Sequence, residues 1–228
     1  MAFGLIVAAG VGDRLGAPVP KFEVPLGGRP MVIHSLEAFQ RAPCVEGVVL
    51  VVPPDRLDEW TIDRLRELGI DKAWAVAGGG ASRQESVWRG LQLLGETGEV
   101  VVHDAARPLV TPALIERTFE MLSRAPGAIT AIPVTDTLKE VASEEVLQTV
   151  AREALVSVQT PQAFRLEVLK RAHLRALQDG FAGTDDASLL ERLGEPVLVV
   201  ESDRYNIKVT YPEDLAFAEF LMSSRSRP

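Results

Sequence analysis

Arg14 and Lys21 follow an apolar run and a glycine-rich loop, Leu5-Ile-Val-Ala-Ala-Gly-Val-Gly-Asp-Arg-Leu-Gly16, closed by Pro20-Lys21. That order suits a polyphosphate held against backbone amides, with two mobile cations stabilising the charge that builds up on it. Gly10, Gly12 and Gly16 carry no Cβ, so the backbone there can take positive φ and approach a ligand closely. Spacing disfavours two commoner glycine-loop chemistries. A Walker loop ends in Gly-Lys-Ser/Thr at the start of a helix, whereas Gly16 is followed by Ala17-Pro18. A dinucleotide fingerprint reads Gly-x-Gly-x-x-Gly, and here three residues separate Gly12 from Gly16 with prolines beyond. A plain surface turn is the remaining alternative, and Arg14 and Lys21 weigh against it.

Asp104 follows a Val-Val-His run, so its carboxylate falls where a buried strand would end at a ligand edge. A lone hard oxygen ligand there suits Mg²⁺, which keeps its waters and bridges substrate phosphates through one or two carboxylates. Capping a turn, or pairing with Arg107, is the simpler role. His103 reads as a packed strand residue. Gly78-Gly-Gly-Ala-Ser-Arg-Gln-Glu-Ser-Val87 places Gly80, Ser82 and Ser86 near free amides at a helix start, a turn fit for a nucleobase or ribose, or a plain Ser82 N-cap. Arg83 is either a solvated helix cation or a brace beneath that loop. Thr149-Val-Ala-Arg152, Thr184-Asp-Asp-Ala-Ser188 and Asn206-Ile-Lys-Val-Thr210 complete the polar set. Thr184 is placed as an N-cap, with Asp185 and Asp186 favouring the first turn through the helix dipole. Lys208 alternates with Ile207 and Val209, so it projects from the opposite face, toward solvent or a polar pocket.

Positioning these groups requires a scaffold, and its pattern is visible. Apolar, β-branched runs recur at 2–8, 47–52, 73–77, 100–103, 128–134 and 196–201, separated mostly by amphipathic stretches at 30–41, 54–68, 82–94, 112–124, 165–178 and 212–221. Alternation of this kind predicts an α/β fold, a largely parallel sheet with helices on both faces. Strand ends then share one edge, which brings 8–10, 52–54, 77–80, 103–108 and 133–135 together. Residues 133–159 break the alternation with two extended stretches, 134–141 and 146–158, parted by Ser143-Glu144-Glu145. This reads as an arm, buried either against a second copy of the chain or on its own domain.

Composition sets outer limits. The chain has 228 residues, enough for one large or two small domains, and Cys44 is the only cysteine, which excludes an intramolecular disulfide. Cys44 itself reads as packing. A net charge of -8 argues against a nucleic-acid surface, so any phosphate site must be locally basic. No segment nears the roughly 20 apolar residues of a membrane span and no basic leader opens the chain, which points to the cytoplasm. The 223–228 tail has the composition of a disordered end.

Across almost its whole length the chain resembles the 2-C-methyl-D-erythritol 4-phosphate cytidylyltransferases of the nonmevalonate isoprenoid pathway. The matching motifs are Ala8-Ala-Gly10 with Arg14 and Pro20-Lys21, Gly79-Gly80 with Arg83 and Ser86-Val87, Val102-His-Asp-Ala-Ala-Arg-Pro108, and Asp136-Thr137. Thr149-Val150 with Arg152, Thr160-Pro-Gln162, Thr184-Asp185, and Asn206-Ile-Lys-Val-Thr210 with Pro212-Glu-Asp-Leu215 continue the series in order. The first motif is common to many nucleotidyltransferases; His-Asp-Ala-Ala-Arg-Pro and Asn-Ile-Lys-Val-Thr are far more specific.

The resemblance implies a single Rossmann-like nucleotidyltransferase domain over 1–228, with 134–158 as a protruding β-arm that joins a homodimer. It implies that CTP and 2-C-methyl-D-erythritol 4-phosphate give 4-diphosphocytidyl-2-C-methyl-D-erythritol and pyrophosphate, with Mg²⁺ or another divalent cation. By the same resemblance Arg14 and Lys21 stabilise the transition state, while Lys208 and the partner subunit's Arg152 position the acceptor's phosphate. Ala8, Ala9, Gly10 and Arg107 fall among the substrate-binding positions. Gly80, Ala81 and Ser86 meet cytidine, Asp104 the ribose, acceptor and metal region, and Thr137, Thr160 and Thr184 the acceptor side. Phe22-Glu23 stands where Gln-Tyr is common, and Ala81 where some relatives are acidic. A cytidylyltransferase for ribitol 5-phosphate is the nearest rival reading, followed by an NAD-dependent oxidoreductase, which the loop spacing disfavours. A non-catalytic nucleotide sensor could lose Lys21, Arg152 or Lys208, and all three are present.

Overall fold

The computed structural model describes residues 1–10 and 13–225, so Gly12 of the glycine loop and 226–228 of the tail lie outside the described residues. In chain order the strands are β1 (Ala2–Val7), β2 (Pro25–Leu26), β3 (Arg29–Pro30), β4 (Gly47–Val52), β5 (Ala73–Gly78), β6 (Glu99–Asp104), β7 (Gly127–Pro133), β8 (Leu138–Ala142), β9 (Glu145–Val150), β10 (Val156–Arg165) and β11 (Val197–Glu201). The helices are α1 (Met31–Arg41), α2 (Ile62–Glu67), α3 (Arg83–Leu91), α4 (Pro112–Glu120), α5 (Leu166–Asp179), α6 (Ala187–Arg192) and α7 (Pro212–Arg225).

The main sheet has seven strands in the order β11-β7-β10-β6-β1-β4-β5, and only β10 runs against its neighbours. Period-two alternation sends Phe3 and Leu5 of β1 to one face and Ala2 and Ile6 to the other, and both faces are buried. On the Ile6 face pack Ile33 and Phe39 of α1, Leu65 of α2 and Ile115 of α4. On the Leu5 face pack Val87 and Leu91 of α3, Leu169 of α5 and Leu190 of α6. This is the two-faced α/β arrangement expected from the alternation. A third apolar cluster joins Ala218 and Leu221 of α7 to Leu15, Val24 and Leu26, fastening the C-terminal helix beneath the segment that follows the glycine loop. Among the described residues no helix is long and apolar enough to cross a membrane.

Three expectations change. The stretch 146–158 is not one strand: β9 ends at Val150, while Val156, Ser157 and Val158 pair with Pro133, Ile132 and Ala131 of β7 as the start of β10. The excursion is therefore the shorter hairpin β8–β9, closed by Ser143 and Glu144, both at positive φ as a two-residue hairpin turn requires. Hydrophobic patterning misses β10 because its interior carries Gln159, Thr160 and Gln162, all buried, and because Pro161 lies where the register slips. The span 54–68 is also divided. Pro54–Arg56 forms a single tight turn, and α2 starts afresh when the Thr61 side chain accepts the Arg64 N–H.

Gly4 lets α1 lie directly on β1, since a Cβ there would sit 2.3 Å from the Phe39 ring, itself wholly buried. Gly4→Ala should cost about 1–3 kcal/mol through overpacking, read as a lowered urea midpoint at unchanged slope; an unchanged midpoint would show that α1 can yield.

Candidate active site

A cleft of about 440 Å³ opens at the carboxyl edge of the sheet, lined by Ala8, Ala9 and Gly10 after β1, by Gly80, Ala81 and Ser86 at the start of α3, and by Asp104 at the end of β6. Arg14, Lys21 and Lys208 close its rim. Ten positions singled out in the sequence thus share one wall, as the common strand-end edge demands. Gly16 takes positive φ, while a Cβ on Gly10 would meet only open space.

Asp104 is the electrostatic centre. Its Oδ1 accepts from Arg83 Nε at 2.9 Å and its Oδ2 from Lys208 Nζ at 2.7 Å. Arg83 reaches on through NH1 to Asp186 at 2.8 Å. Burial alone would push the Asp104 carboxyl up, but Arg83 and Lys208 outweigh it and hold the group well below the ordinary carboxylate range. Burial opposes ionisation of Asp186 in the same way, and Arg83 again prevails. Two carboxylates and two cations therefore balance, which lets these charges persist out of water. Arg83 is the brace beneath the loop; Asp104 does not pair with Arg107. Asp186 stands at the start of α6 and is 1% exposed, and Thr184 does not supply the side-chain cap of that helix. Asp185 does that work, accepting the Ser188 N–H at 3.0 Å.

A buried chain of hydrogen bonds fixes where β6 ends. The Asp104 N–H donates to Thr160 Oγ1 at 3.0 Å, and that hydroxyl lies 3.1 Å from His103 Nδ1. His103 Nε2 lies 3.1 Å from the Arg107 carbonyl. A carbonyl only accepts, so Nε2 carries the proton and Nδ1 accepts from Thr160. Arg107 donates to the Asn206 carbonyl at 2.7 Å, and Asn206 Nδ2 donates to Gln159 Oε1 and the Thr160 carbonyl, each at 2.9 Å. The Val209 N–H donates to the Ala106 carbonyl at 2.8 Å, laying 206–210 beside the 104–107 turn and aiming Lys208 at Asp104. Thr160 and Arg107 thus meet this network and do not line the cleft.

The loop before α3 is tight for a visible reason: a Cβ on Gly79 would fall 2.2 Å from that of Ala9. Ser82 caps α3 by accepting the Glu85 N–H, and Ser86 Oγ accepts the Gly80 N–H at 3.0 Å. Glu85 accepts the Ala81 N–H at 2.8 Å, and Arg89 joins Glu85 to the Gly79 carbonyl. The sequence reading missed Glu85 and Arg89, whose i, i+4 spacing was the available signal. It also missed Tyr211, over whose ring the Arg14 guanidinium sits at 5.9 Å.

Lys21 differs from Arg83, Arg107 and Lys208. Among the described residues its ammonium has no hydrogen-bond or ion-pair partner, although it faces the cleft. Burial first, then Lys208 and Arg14, press its pKa downward, only partly offset by Asp104 and Asp214. An uncompensated, crowded cation at a cleft wall is poised for an anionic ligand.

Three positions stand elsewhere. Thr137, Arg152 and Thr184 are exposed and do not line this cleft. Arg152, just past β9, donates to the Thr135 carbonyl. Val141, Val146 and Leu147 of the β8–β9 hairpin are more than half exposed. Asp104 is the one carboxylate on the cleft wall, and no cluster of three or more metal-ligating groups occurs among the described residues. That donor set fits a cation held mainly by phosphates and water.

The profile of the family described as 2-C-methyl-D-erythritol 4-phosphate cytidylyltransferase matches residues 3–224. An enzyme of that name from Halalkalibacterium halodurans is 43% identical over 227 residues, covering 98% of this chain and 97% of the relative. One from Geobacillus thermodenitrificans is 44% identical over 224 residues, covering 97% and 96%. The crystal structure of the same-named protein from Thermus thermophilus superposes with a TM-score of 0.79 at 34% identity, covering 96% of this chain and 98% of that one. A 4-diphosphocytidyl-2C-methyl-D-erythritol synthase from Anaerococcus prevotii gives 0.85 at 29%, covering 97% and 96%.

The His103 network makes a pH prediction. Burial lowers the His103 pKa to about 4, against about 6.5 in an unfolded chain. Between those values the unfolded chain binds a proton that the folded one refuses, so stability falls as pH drops from 6.5 to 4, by on the order of 3 kcal/mol in all. Urea midpoints across that range should fall less steeply for His103→Gln than for the wild type. Equal slopes would show that His103 carries no such linkage.

Proposed function

The chain belongs to the 2-C-methyl-D-erythritol 4-phosphate cytidylyltransferase family, a nucleotidyltransferase that moves CMP from CTP to 2-C-methyl-D-erythritol 4-phosphate, and we propose that Lys21 and Arg14 carry its chemical step. The observation behind this reading is the Lys21 ammonium, without a hydrogen-bond or ion-pair partner among the described residues, beside a carboxylate whose two oxygens already accept from Arg83 and Lys208.

An oxygen of the acceptor's phosphate attacks the α-phosphorus of CTP in line. One P–O bond forms, the bond to the β-phosphate breaks, and pyrophosphate leaves with that electron pair. A phosphate monoester is largely ionised at neutral pH, so no strong general base is needed. His103 is unsuited to be one, being buried, neutral and engaged at both nitrogens. Charge moving onto non-bridging oxygens is met by Lys21 and Arg14, which bind the transition state better than the ground state. Gly80, Ala81 and Ser86 receive the cytidine, and Ala8, Ala9 and Gly10 bring backbone to the phosphates. Asp104 would be the protein ligand of a Mg²⁺ held otherwise by phosphates and water, which would supply charge neutralisation on those phosphates.

Lys208 sits where it can exchange part of its pairing with Asp104 for the acceptor's phosphate. In this reading the enzyme is a cytoplasmic homodimer. The apolar β8–β9 hairpin docks on a second copy and carries Arg152, with Thr137, to the neighbouring cleft, while Thr184 lies on the acceptor side and Arg107 and Thr160 act through the network behind Asp104.

A pyrophosphate-release assay with CTP should show turnover on methylerythritol phosphate and little on ribitol 5-phosphate; the reverse order would reassign the acceptor. Lys21→Ala should lower kcat by about 10²–10³-fold and leave the CTP Kd nearly unchanged. Equal losses in both would make Lys21 a holder of substrate only. Mixing Lys21→Ala and Arg152→Ala subunits should restore part of the activity, because each mixed dimer contains one intact site. No recovery would place Arg152 on its own subunit's cleft.

A further inference from the structure

Lys21 enters the cleft from the tight turn Lys21–Glu23, and the other two side chains of that turn meet Trp60. Phe22 is buried and meets the Trp60 ring edge-on, with centroids 5.2 Å apart. Glu23 Oε1 accepts the Trp60 indole N–H at 2.8 Å, and its Oε2 lies 3.6 Å from the Arg56 guanidinium. Arg56 is itself held by Glu59 at 2.7 Å. Trp60 and Arg56 belong to the connection that leaves β4 at Val52 through Pro53-Pro54. Glu23 thus ties the strand-end segment that bears Lys21 to the strand-end segment after β4.

The tie matters because the Lys21 ammonium is not itself held. A lysine stem is long and flexible, and among the described residues this ammonium has no hydrogen-bond or ion-pair partner. Its reach into the cleft is set by its backbone, through Glu23 N–H to the Pro20 carbonyl at 2.9 Å and Val24 N–H to the Lys21 carbonyl at 3.2 Å. Those bonds define the turn but not its tilt toward the cleft, which Glu23 and Phe22 fix together.

We propose that Glu23, clamped by Trp60 and Arg56, is a positioning residue that sets where the Lys21 ammonium meets the transferring phosphate. This rests on the catalytic reading of Lys21 given above.

The test is a mutant cycle on the full-length enzyme, read by kcat, KM and thermal midpoint. Glu23→Ala should lower kcat by about 10-fold, since small misplacements of a catalytic group are costly, with both KM values little changed. Glu23→Gln keeps an acceptor for Trp60 and should recover most of that loss. In a Lys21→Gln background Glu23→Ala should lower kcat no further, yet should lower the thermal midpoint as much as it does in the wild type. A wild-type kcat in Glu23→Ala, or the same fold-loss in both backgrounds, would overturn the proposal. If Glu23→Ala fails to fold, Trp60→Phe removes the N–H while keeping an aromatic edge, and should show the same kcat loss at unchanged KM; an unaltered kcat would overturn the proposal equally. Full activity in Lys21→Gln would instead sink the reading of Lys21, a separate outcome.

Discussion

The Asp104 carboxylate at the end of β6, gripped by Arg83 on one oxygen and Lys208 on the other, is the constraint around which this cleft is organised. A buried carboxylate is costly unless paired, and each of its partners comes from a different part of the chain. Arg83 brings the start of α3 and, through Asp186, the start of α6. Lys208 brings the segment before α7. A single charge thereby draws together three regions that are remote in sequence, and the hydrogen-bond chain through Thr160 and His103 holds the strand end in place beneath them.

The balance of this group has a chemical consequence. Arg83 and Lys208 offset Asp104 and Asp186, so the cluster has little charge left to attract a polyanion. The uncompensated charge is that of Lys21, with Arg14 beside it on the face of Tyr211. Two kinds of cation therefore share the wall: Arg83 and Lys208, paired with Asp104, and Lys21 and Arg14, which have no ion-pair partner among the described residues. Such preorganisation is what electrostatic catalysis requires, because the donors need not reorganise when charge develops.

Much of this was legible from residue order. The alternation of apolar runs and amphipathic stretches set the two-faced sheet, and the rule that parallel strands share a carboxyl edge brought Gly10, Gly80 and Asp104 together before any coordinates. What escaped was polar material that behaves as core. Gln159, Thr160 and Gln162 are buried with partners outside their own strand: Gln159 Oε1 accepts from Asn206, the Thr160 hydroxyl joins the Asp104 N–H to His103, and Gln162 Nε2 donates to Asp185, so β10 carries no hydrophobic signature. Asp186 stands at the start of α6 as its position announces, but its pairing with Arg83, 103 residues away, leaves no sign there. Pairings at that separation leave no local trace, whereas a cap such as Ser82 was written in its immediate neighbours.

The central claim is that Lys21 stands as an uncompensated, crowded cation awaiting the polyphosphate. The most direct test is a pH titration of its ¹³Cε resonance by NMR in lysine-labelled enzyme, assigned against a Lys21→Arg variant, with and without CTP. The account predicts a Lys21 pKa below the ordinary lysine value in the free enzyme, from burial and from Lys208 and Arg14, and a rise when CTP binds. A pKa at or above the ordinary value in the free enzyme, indifferent to CTP, would contradict it.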